Sequence, residues 1–206
     1  MTVKEKKRSR LFSLVRESIL VLSVCALGEM LTGTFLESGM SYLPGILVLV
    51  PAILQLRGTI SGSFSSRIST ALHIGTIKPQ FRNNTNTFRE NIYANLFLTI
   101  ISPFLAATMS FLVMTIFNVK NIGFFALLVI AISAGFISGI IQIVISIISG
   151  ILIFNRGLDP DIIVFPLLSV IGDILSILTL ILVTNLYLSL LGIDRIIFGI
   201  LGVLGW

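Results

Sequence analysis

The chain has 206 residues and a net charge of +5, yet only 11% of its residues are charged and 55% are hydrophobic. A soluble domain carries about 25% charged residues. This composition, with a mean hydropathy of +1.07, therefore excludes a soluble protein and predicts an integral membrane protein. The positive charge does not indicate a nucleic-acid partner, because the basic residues before the first apolar segment suit the cytoplasmic face of a membrane.

Five apolar segments follow one another along the chain, near 12–37, 43–75, 88–117, 121–154 and 161–190. Each exceeds the roughly 20 helical residues that cross a hydrocarbon core of about 30 Å. Continuous apolar runs without period-two alternation argue against a β-barrel. The sequence predicts an all-α, multi-pass protein of the cell membrane with five transmembrane helices over 12–190. A basic cytoplasmic tail (1–11) would precede them, and an apolar interfacial or re-entrant tail (191–206) would follow.

The distribution of basic residues predicts the orientation. Five basic residues lie in the first ten positions, which places the N-terminus in the cytoplasm. Alternating spans then put Lys78, Arg82 and Arg156 on the cytoplasmic side, whereas Lys120 and Arg195 fall outside. We expect the second segment to be unusual as well, since 33 residues at 1.5 Å per residue reach about 50 Å. We predict a long second helix that is broken near Arg57–Thr59.

The stretch PAILQLRGTISGSFSSRISTALHIG at 51–75 is the most polar part of this second segment. Arginines and broken backbone at membrane depth must face protein or water. The segment is therefore expected to line a cavity or a pore. At the predicted break, unwound carbonyls and the hydroxyl at Gly58 and Thr59 would be available to a ligand.

Asp173 is a carboxylate in the interior of the fifth segment, where an uncompensated charge costs about 3 kcal/mol or more. Ser169 and Ser176 lie four residues before and three after it, on the same helix face. One charge among oxygen ligands suits a hard cation. An internal salt bridge or a neutral, hydrogen-bonded acid would satisfy the same residue, so three interpretations remain open.

Glu29, in the first segment, is either a second acidic residue that binds the cation or the partner of Arg57. Arg57 in turn could neutralise Glu29, or Asp173 when no ion is bound. The predicted metal-contacting set is Asp173, Ser169, Ser176, Gly58, Thr59 and Glu29. No nucleophile, zinc or P-loop motif is present, so we expect neither an enzyme nor a bound cofactor.

Two separated motifs resemble a known family. The residues PAIL at 51–54 and RG at 57–58, followed by SSRISTA at 65–71 and Gly75, resemble the MgtE-type divalent cation transporter domain. They are most similar to the branch that includes the animal solute carrier family 41 transporters. The segment from Asp159 to Asp173 resembles the last-helix motif of the same family. A Gly-Asn step of the family stands here as Gly58-Thr59, so a hydroxyl replaces an amide.

The resemblance implies a magnesium channel or transporter that acts as a homodimer. Its pore would lie between the second and fifth helices of the two subunits, and Asp173 would meet a largely hydrated Mg²⁺, the transported ion. Membrane lipid and divalent cations are the other expected partners. The competing hypotheses are a proton- or sodium-coupled cation exchanger and a non-transporting membrane scaffold subunit.

Overall fold

The computed structural model describes residues 15, 19, 22–37, 45–81, 83–156 and 160–190, with the side chains of the last range from residue 166 onward. Regular structure within these residues is entirely helical, which confirms the all-α prediction. The helices are α1 (22–37), α2 (Ile46–Ile74), α3 (Asn86–Ile116), α4 (Phe124–Asn155) and α5 (Pro160–Leu190). The bounds of α2 to α5 agree with the predicted segments to within three residues. Both predicted tails lie outside the described residues.

Four of the described helices are long and apolar enough to cross a membrane: α2, α3, α4 and, from Pro166 to Leu190, α5. Helices suit this environment because hydrocarbon offers backbone N–H and C=O groups no partner outside the segment itself. The α2 helix ends where Gly75 adopts a left-handed conformation, with φ at 80°, and its N–H donates to the Leu72 carbonyl at 3.2 Å. A glycine accepts this conformation without a steric penalty.

The α2 helix is continuous, so the predicted break near Arg57–Thr59 is wrong. Its 29 residues span about 44 Å at 1.5 Å per residue. A glycine costs a helix only about 1 kcal/mol, which is less than exposing unpaired backbone groups in a bilayer. The hydroxyls that suggested a break bond to their own helix instead: Thr59 donates to the Gln55 carbonyl at 2.9 Å, and Ser61 donates to the Arg57 carbonyl at 3.0 Å.

The centre of the bundle is formed by α2 and α4, which contact each other and both of the helices α3 and α5. Apolar side chains form one cluster towards the start of α2 and another towards its end. The first includes Ile46, Leu49, Met114, Leu127, Ile130 and Ile177. The second includes Phe64, Ile68, Leu72, Phe88 and Ile143.

A layer of buried polar side chains separates the two apolar clusters. Its members come from all four long helices and include Arg57, Ser61, Asn95, Thr99, Ser102, Ser138, Gln142, Ser146 and Asp173. Polar groups at this depth must pair with one another, with water or with a ligand. The layer is therefore the part of the membrane domain in which a functional site is expected.

Small residues on α4, Gly135 and Gly139 one helical turn apart, let α3 approach closely. A Cβ atom built on Gly135 would collide with the ring of Pro103, and one built on Gly139 would collide with Thr99. The proline ring cannot rotate away from the contact. The glycine at 135 is therefore required by the distance between the two helices.

We expect Gly135→Ala to lower the midpoint of heat denaturation, because overpacking a tight contact costs about 1–3 kcal/mol. Gly150→Ala is the matched control on the same helix, since its Cβ would meet only Ile68 Cγ2, at an ordinary 3.7 Å. Both variants gain the same helix propensity, so the difference between them isolates the collision. Equal midpoints in detergent would contradict the close approach of α3 and α4.

Candidate functional site

A cleft of about 530 Å³ opens between α1, α2 and α5. It is lined by two carboxyl groups, by neutral oxygen atoms and by a few apolar side chains. The residues around it are Glu29, Pro51, Leu54, Gln55, Gly58, Thr59, Ser169 and Asp173. Five of the six residues predicted to contact a metal thus surround one space, although they come from three helices.

The two acidic residues of the cleft face each other. The carboxyl groups of Glu29 and Asp173 lie within hydrogen-bonding reach. Asp173 is only 8% exposed, whereas Glu29 is on the open side of the cleft. Two carboxyl groups this close repel each other when both are ionised, and a proton or a bound cation relieves that repulsion. The pair is therefore suited to hold positive charge.

Close packing of α1 on α5 brings Glu29 to this position. A Cβ atom added to Gly28 would collide with the side chain of Val170, so only a glycine permits the approach. Three residues earlier, the thiol of Cys25 donates to the Pro166 carbonyl at 3.4 Å. The sequence alone could not show this, because nothing in the first segment indicates which helix it contacts.

The α2 wall contributes neutral groups to the cleft. Gly58 leaves open space, since even an added Cβ would stay 3.9 Å from Ser169 Oγ. The Thr59 hydroxyl donates its proton to the Gln55 carbonyl, so its oxygen lone pairs remain able to accept hydrogen bonds from hydrated ions. Gln55 was missed from the sequence, although it lies one helical turn before Gly58 and Thr59 and so shares their face.

Ser176 is the one member of the predicted set that does not line the cleft. It is buried, and its hydroxyl donates to the Gly172 carbonyl at 2.6 Å. The sequence predicted Ser176 on the face of Asp173 because it follows that residue by three positions. Its short side chain bonds back to its own helix, however, and does not reach into the cleft.

Arg57 donates its hydrogen bonds to α4. Its Nη1 donates to the Gly135 carbonyl at 3.0 Å and to the Ser138 hydroxyl, and its Nη2 donates to Gln142 Oε1 at 3.0 Å. The hydrogen bonds of the guanidinium therefore go to α4, whereas the sequence left Glu29 and Asp173 open as its partners. Ser138 and Gln142, the α4 side chains that accept these hydrogen bonds, stand one helical turn apart in the sequence and so share a face.

The charge of Arg57 nevertheless acts on the cleft. The guanidinium and the Asp173 carboxyl group interact electrostatically. Gln142 connects Arg57 to α5: it accepts from Arg57 and donates through Nε2 to the Leu168 carbonyl of α5 at 3.1 Å. A Cβ atom on Gly172, next to Asp173, would collide with this Gln142 side chain. Arg57 is thus a fixed positive charge behind the wall of the cleft.

The described residues include no group of three or more His, Cys, Asp or Glu side chains that could hold a metal ion. Within them, the cleft offers a cation two carboxyl groups and neutral oxygens, not a full set of charged ligands. Such a site suits an ion that keeps much of its water shell.

Comparison with known proteins identifies one family. The MgtE family model, described as a divalent cation transporter, matches residues 50–183, which is more than half of the chain. The match includes all of α3 and α4 and most of α2 and α5. Searches of curated proteins and of solved structures find no significant match.

Proposed function

Because the chain belongs to the MgtE family of divalent cation transporters, we propose that it carries Mg²⁺ across the membrane through the cleft between α1, α2 and α5. The family consists of transporters and not of enzymes, and the four long apolar helices make the chain a multi-pass membrane protein. The observation that carries the proposal is the acidic pair Glu29 and Asp173 on a cleft at membrane depth.

The size of the cleft supports a hydrated ion. Mg²⁺ dehydrates reluctantly and is usually held by one or two carboxylates together with several waters. Six waters occupy about 180 Å³ at roughly 30 Å³ each, and the cleft offers about 530 Å³. The carboxyl groups of Glu29 and Asp173 attract the ion, while Ser169, Thr59 and the open space at Gly58 accommodate its water shell.

The functional unit in this proposal is a homodimer with the pore on its two-fold axis. The cleft is bounded by α2 and α5, and Glu29 and Thr59 on its lining are open to the surroundings. A symmetric partner placed over this side would contribute a second copy of each lining residue. Two Asp173 carboxylates would then face one conduction path between the second and fifth helices of both subunits.

Basic residues support an orientation with the N-terminus in the cytoplasm. The loop after α2 and the end of α4 share one end of the bundle, since Asn155 Nδ2 donates to the Pro79 carbonyl at 3.5 Å. Lys78 and Arg156 therefore lie at the same end. A concentration of Lys and Arg is typical of the cytoplasmic side.

In this mechanism Arg57 keeps the ion's binding weak enough for release. Without a cation, its positive charge partly compensates the acidic pair. With a divalent cation in the cleft, the same charge repels the ion, because the hydrogen bonds to α4 prevent Arg57 from moving away. Conduction requires binding that permits both entry and exit.

The proposal is tested by Mg²⁺ uptake into proteoliposomes that contain the purified chain. We expect uptake down a magnesium gradient without any added proton or sodium gradient, and none in protein-free vesicles. A properly folded dimer that moves no divalent cation under any gradient would favour the scaffold hypothesis and overturn the proposal.

The closeness of the Glu29 and Asp173 carboxyl groups favours proton coupling as the second candidate, since a proton, like a cation, would relieve the repulsion between two carboxylates. In that case Mg²⁺ entry would drive proton exit. A pH-sensitive dye inside the vesicles distinguishes the two mechanisms. Uptake that stops when the pH gradient is collapsed would replace the channel mechanism with exchange.

The two serines of α5 provide a matched test of the proposed ion path. We expect Ser169→Ala to reduce Mg²⁺ flux by about 2- to 10-fold, which corresponds to one lost hydrogen bond of about 0.5–1.5 kcal/mol. Ser176→Ala should leave the flux near that of the wild type, because the Ser176 hydroxyl already bonds to Gly172. If both variants reduced flux equally, the assignment of the path to the Ser169 side would be wrong.

A further inference from the structure

A second, smaller cavity lies between α2, α3 and α4, on a different set of residues from the cleft. Its volume is about 20 Å³, and a cavity needs about 10–15 Å³ to hold one water molecule. Arg57, Asn95, Thr99 and Ser146 are among the residues that line it. The space is therefore sufficient for one small ligand of the size of water.

Three atoms in the lining have no hydrogen-bonding partner among the described residues: Arg57 Nε, Asn95 Oδ1 and Ser146 Oγ. Their side chains are 7%, 4% and 2% exposed respectively. Buried polar atoms in native proteins are paired in the great majority of cases, with protein or with ordered water. Three such atoms around one small cavity therefore indicate a ligand that satisfies them together.

The donors and acceptors of the cavity select the ligand. Arg57 Nε–H can only donate, Asn95 Oδ1 can only accept, and the Ser146 hydroxyl can do either. Water can accept from the first, donate to the second and pair with the third. A halide can only accept, so it would meet the lone pairs of Asn95 Oδ1. A metal cation would be repelled by the guanidinium of Arg57.

We propose that this cavity is a binding site for one water molecule, which joins Arg57 Nε, Asn95 Oδ1 and Ser146 Oγ. The water ties α2, α3 and α4 together at the level of the polar layer. It also completes the hydrogen bonding of Arg57 at Nε, the guanidinium nitrogen without a direct partner, and so holds the guanidinium in place. This inference does not depend on the ion that the cleft carries.

The test is a structure of the full chain at a resolution that shows ordered waters, determined in chloride-free gluconate buffer and again in bromide buffer at the bromine absorption edge. We expect the same density peak in both, within hydrogen-bonding distance of all three atoms and without an anomalous signal. An anomalous bromide peak would identify an anion site, with the Asn95 amide turned to donate. A dry cavity, with the three atoms paired to other groups, would equally overturn the proposal.

A variant gives an independent measurement. Asn95→Leu removes the acceptor and fills the cavity with apolar atoms, so we expect the density peak to be lost and the heat-denaturation midpoint to fall. Ser149→Ala is the control on α4, because that hydroxyl donates to the Ile145 carbonyl at 2.7 Å and is not part of the cavity. A peak that persists unchanged in Asn95→Leu would exclude Asn95 as a ligand and contradict the site. The wild-type structures decide the matter if this variant does not fold.

Discussion

Asp173→Ala is expected to reduce Mg²⁺ flux by at least about 100-fold while the protein still folds and assembles. Removing one partner of a close, desolvated pair of opposite charges, here the carboxylate that faces the cation, costs about 3–5 kcal/mol. A cost of about 1.4 kcal/mol corresponds to a factor of ten. Asp173 is the buried member of the acidic pair, so the ion meets it where little bulk water competes. Asp173→Asn keeps an oxygen ligand and should be milder, with a loss of about tenfold.

Flux should be measured in proteoliposomes with a magnesium-sensitive dye, and assembly should be checked by gel filtration in detergent. Ser176→Ala is the control, because it changes a buried polar side chain of the same helix outside the cleft. The flux of Glu29→Gln should lie between the fluxes of Asp173→Ala and Ser176→Ala, since Glu29 is more exposed and water competes for the ion there. Wild-type flux in Asp173→Ala would end the assignment of this cleft as the ion path.

Arg57→Met is expected to have two opposite effects: it should weaken the fold and tighten cation binding. The variant loses the hydrogen bonds to Gly135, Ser138 and Gln142, and bonds that involve a charged group contribute about 1.5–3 kcal/mol. We therefore expect a clear fall in the heat-denaturation midpoint. With the repelling charge removed, the Kd for Mg²⁺ should fall by about tenfold, and maximal flux should fall because release becomes slower.

Arg57→Lys separates the two effects. A lysine keeps the positive charge but lacks the planar fork that reaches several acceptors at once. The midpoint should again fall, whereas the Kd should stay within about twofold of the wild type. Calorimetric titration with Mg²⁺ provides the Kd. If Arg57→Met binds Mg²⁺ no more tightly than Arg57→Lys does, the guanidinium charge does not act on the cleft.

Much of this architecture could be predicted from the sequence. Continuous apolar runs set the bounds of α2 to α5, because hydrocarbon thickness and the helical rise fix the length of a span. The chemistry of Asp173 also pointed towards a site, since a carboxylate at that depth must be compensated. Helical periodicity predicted that Ser169 lines the site with Asp173. The position of Gly58 and Thr59 in a polar stretch of α2 predicted the same for them.

Contacts between helices could not be predicted in the same way. The break at Gly58 was expected because glycine weakens an isolated helix, but the bilayer makes a continuous helix more favourable. The position of Glu29 depends on the fit of Gly28 against Val170, which no local pattern encodes. Arg57 was assigned a carboxylate partner because charge was considered first, whereas the planar guanidinium fits the carbonyl, hydroxyl and amide groups of α4.

The most direct test of the central claim is to locate the ion itself. Mn²⁺ has a similar preference for oxygen ligands to Mg²⁺ and gives an anomalous signal in diffraction. We predict one Mn²⁺ peak in the cleft between Glu29 and Asp173, which disappears when excess Mg²⁺ is added and is absent in Asp173→Ala. A protein that transports Mn²⁺ but binds it elsewhere, with the cleft unoccupied at saturating Mn²⁺, would contradict the proposed site.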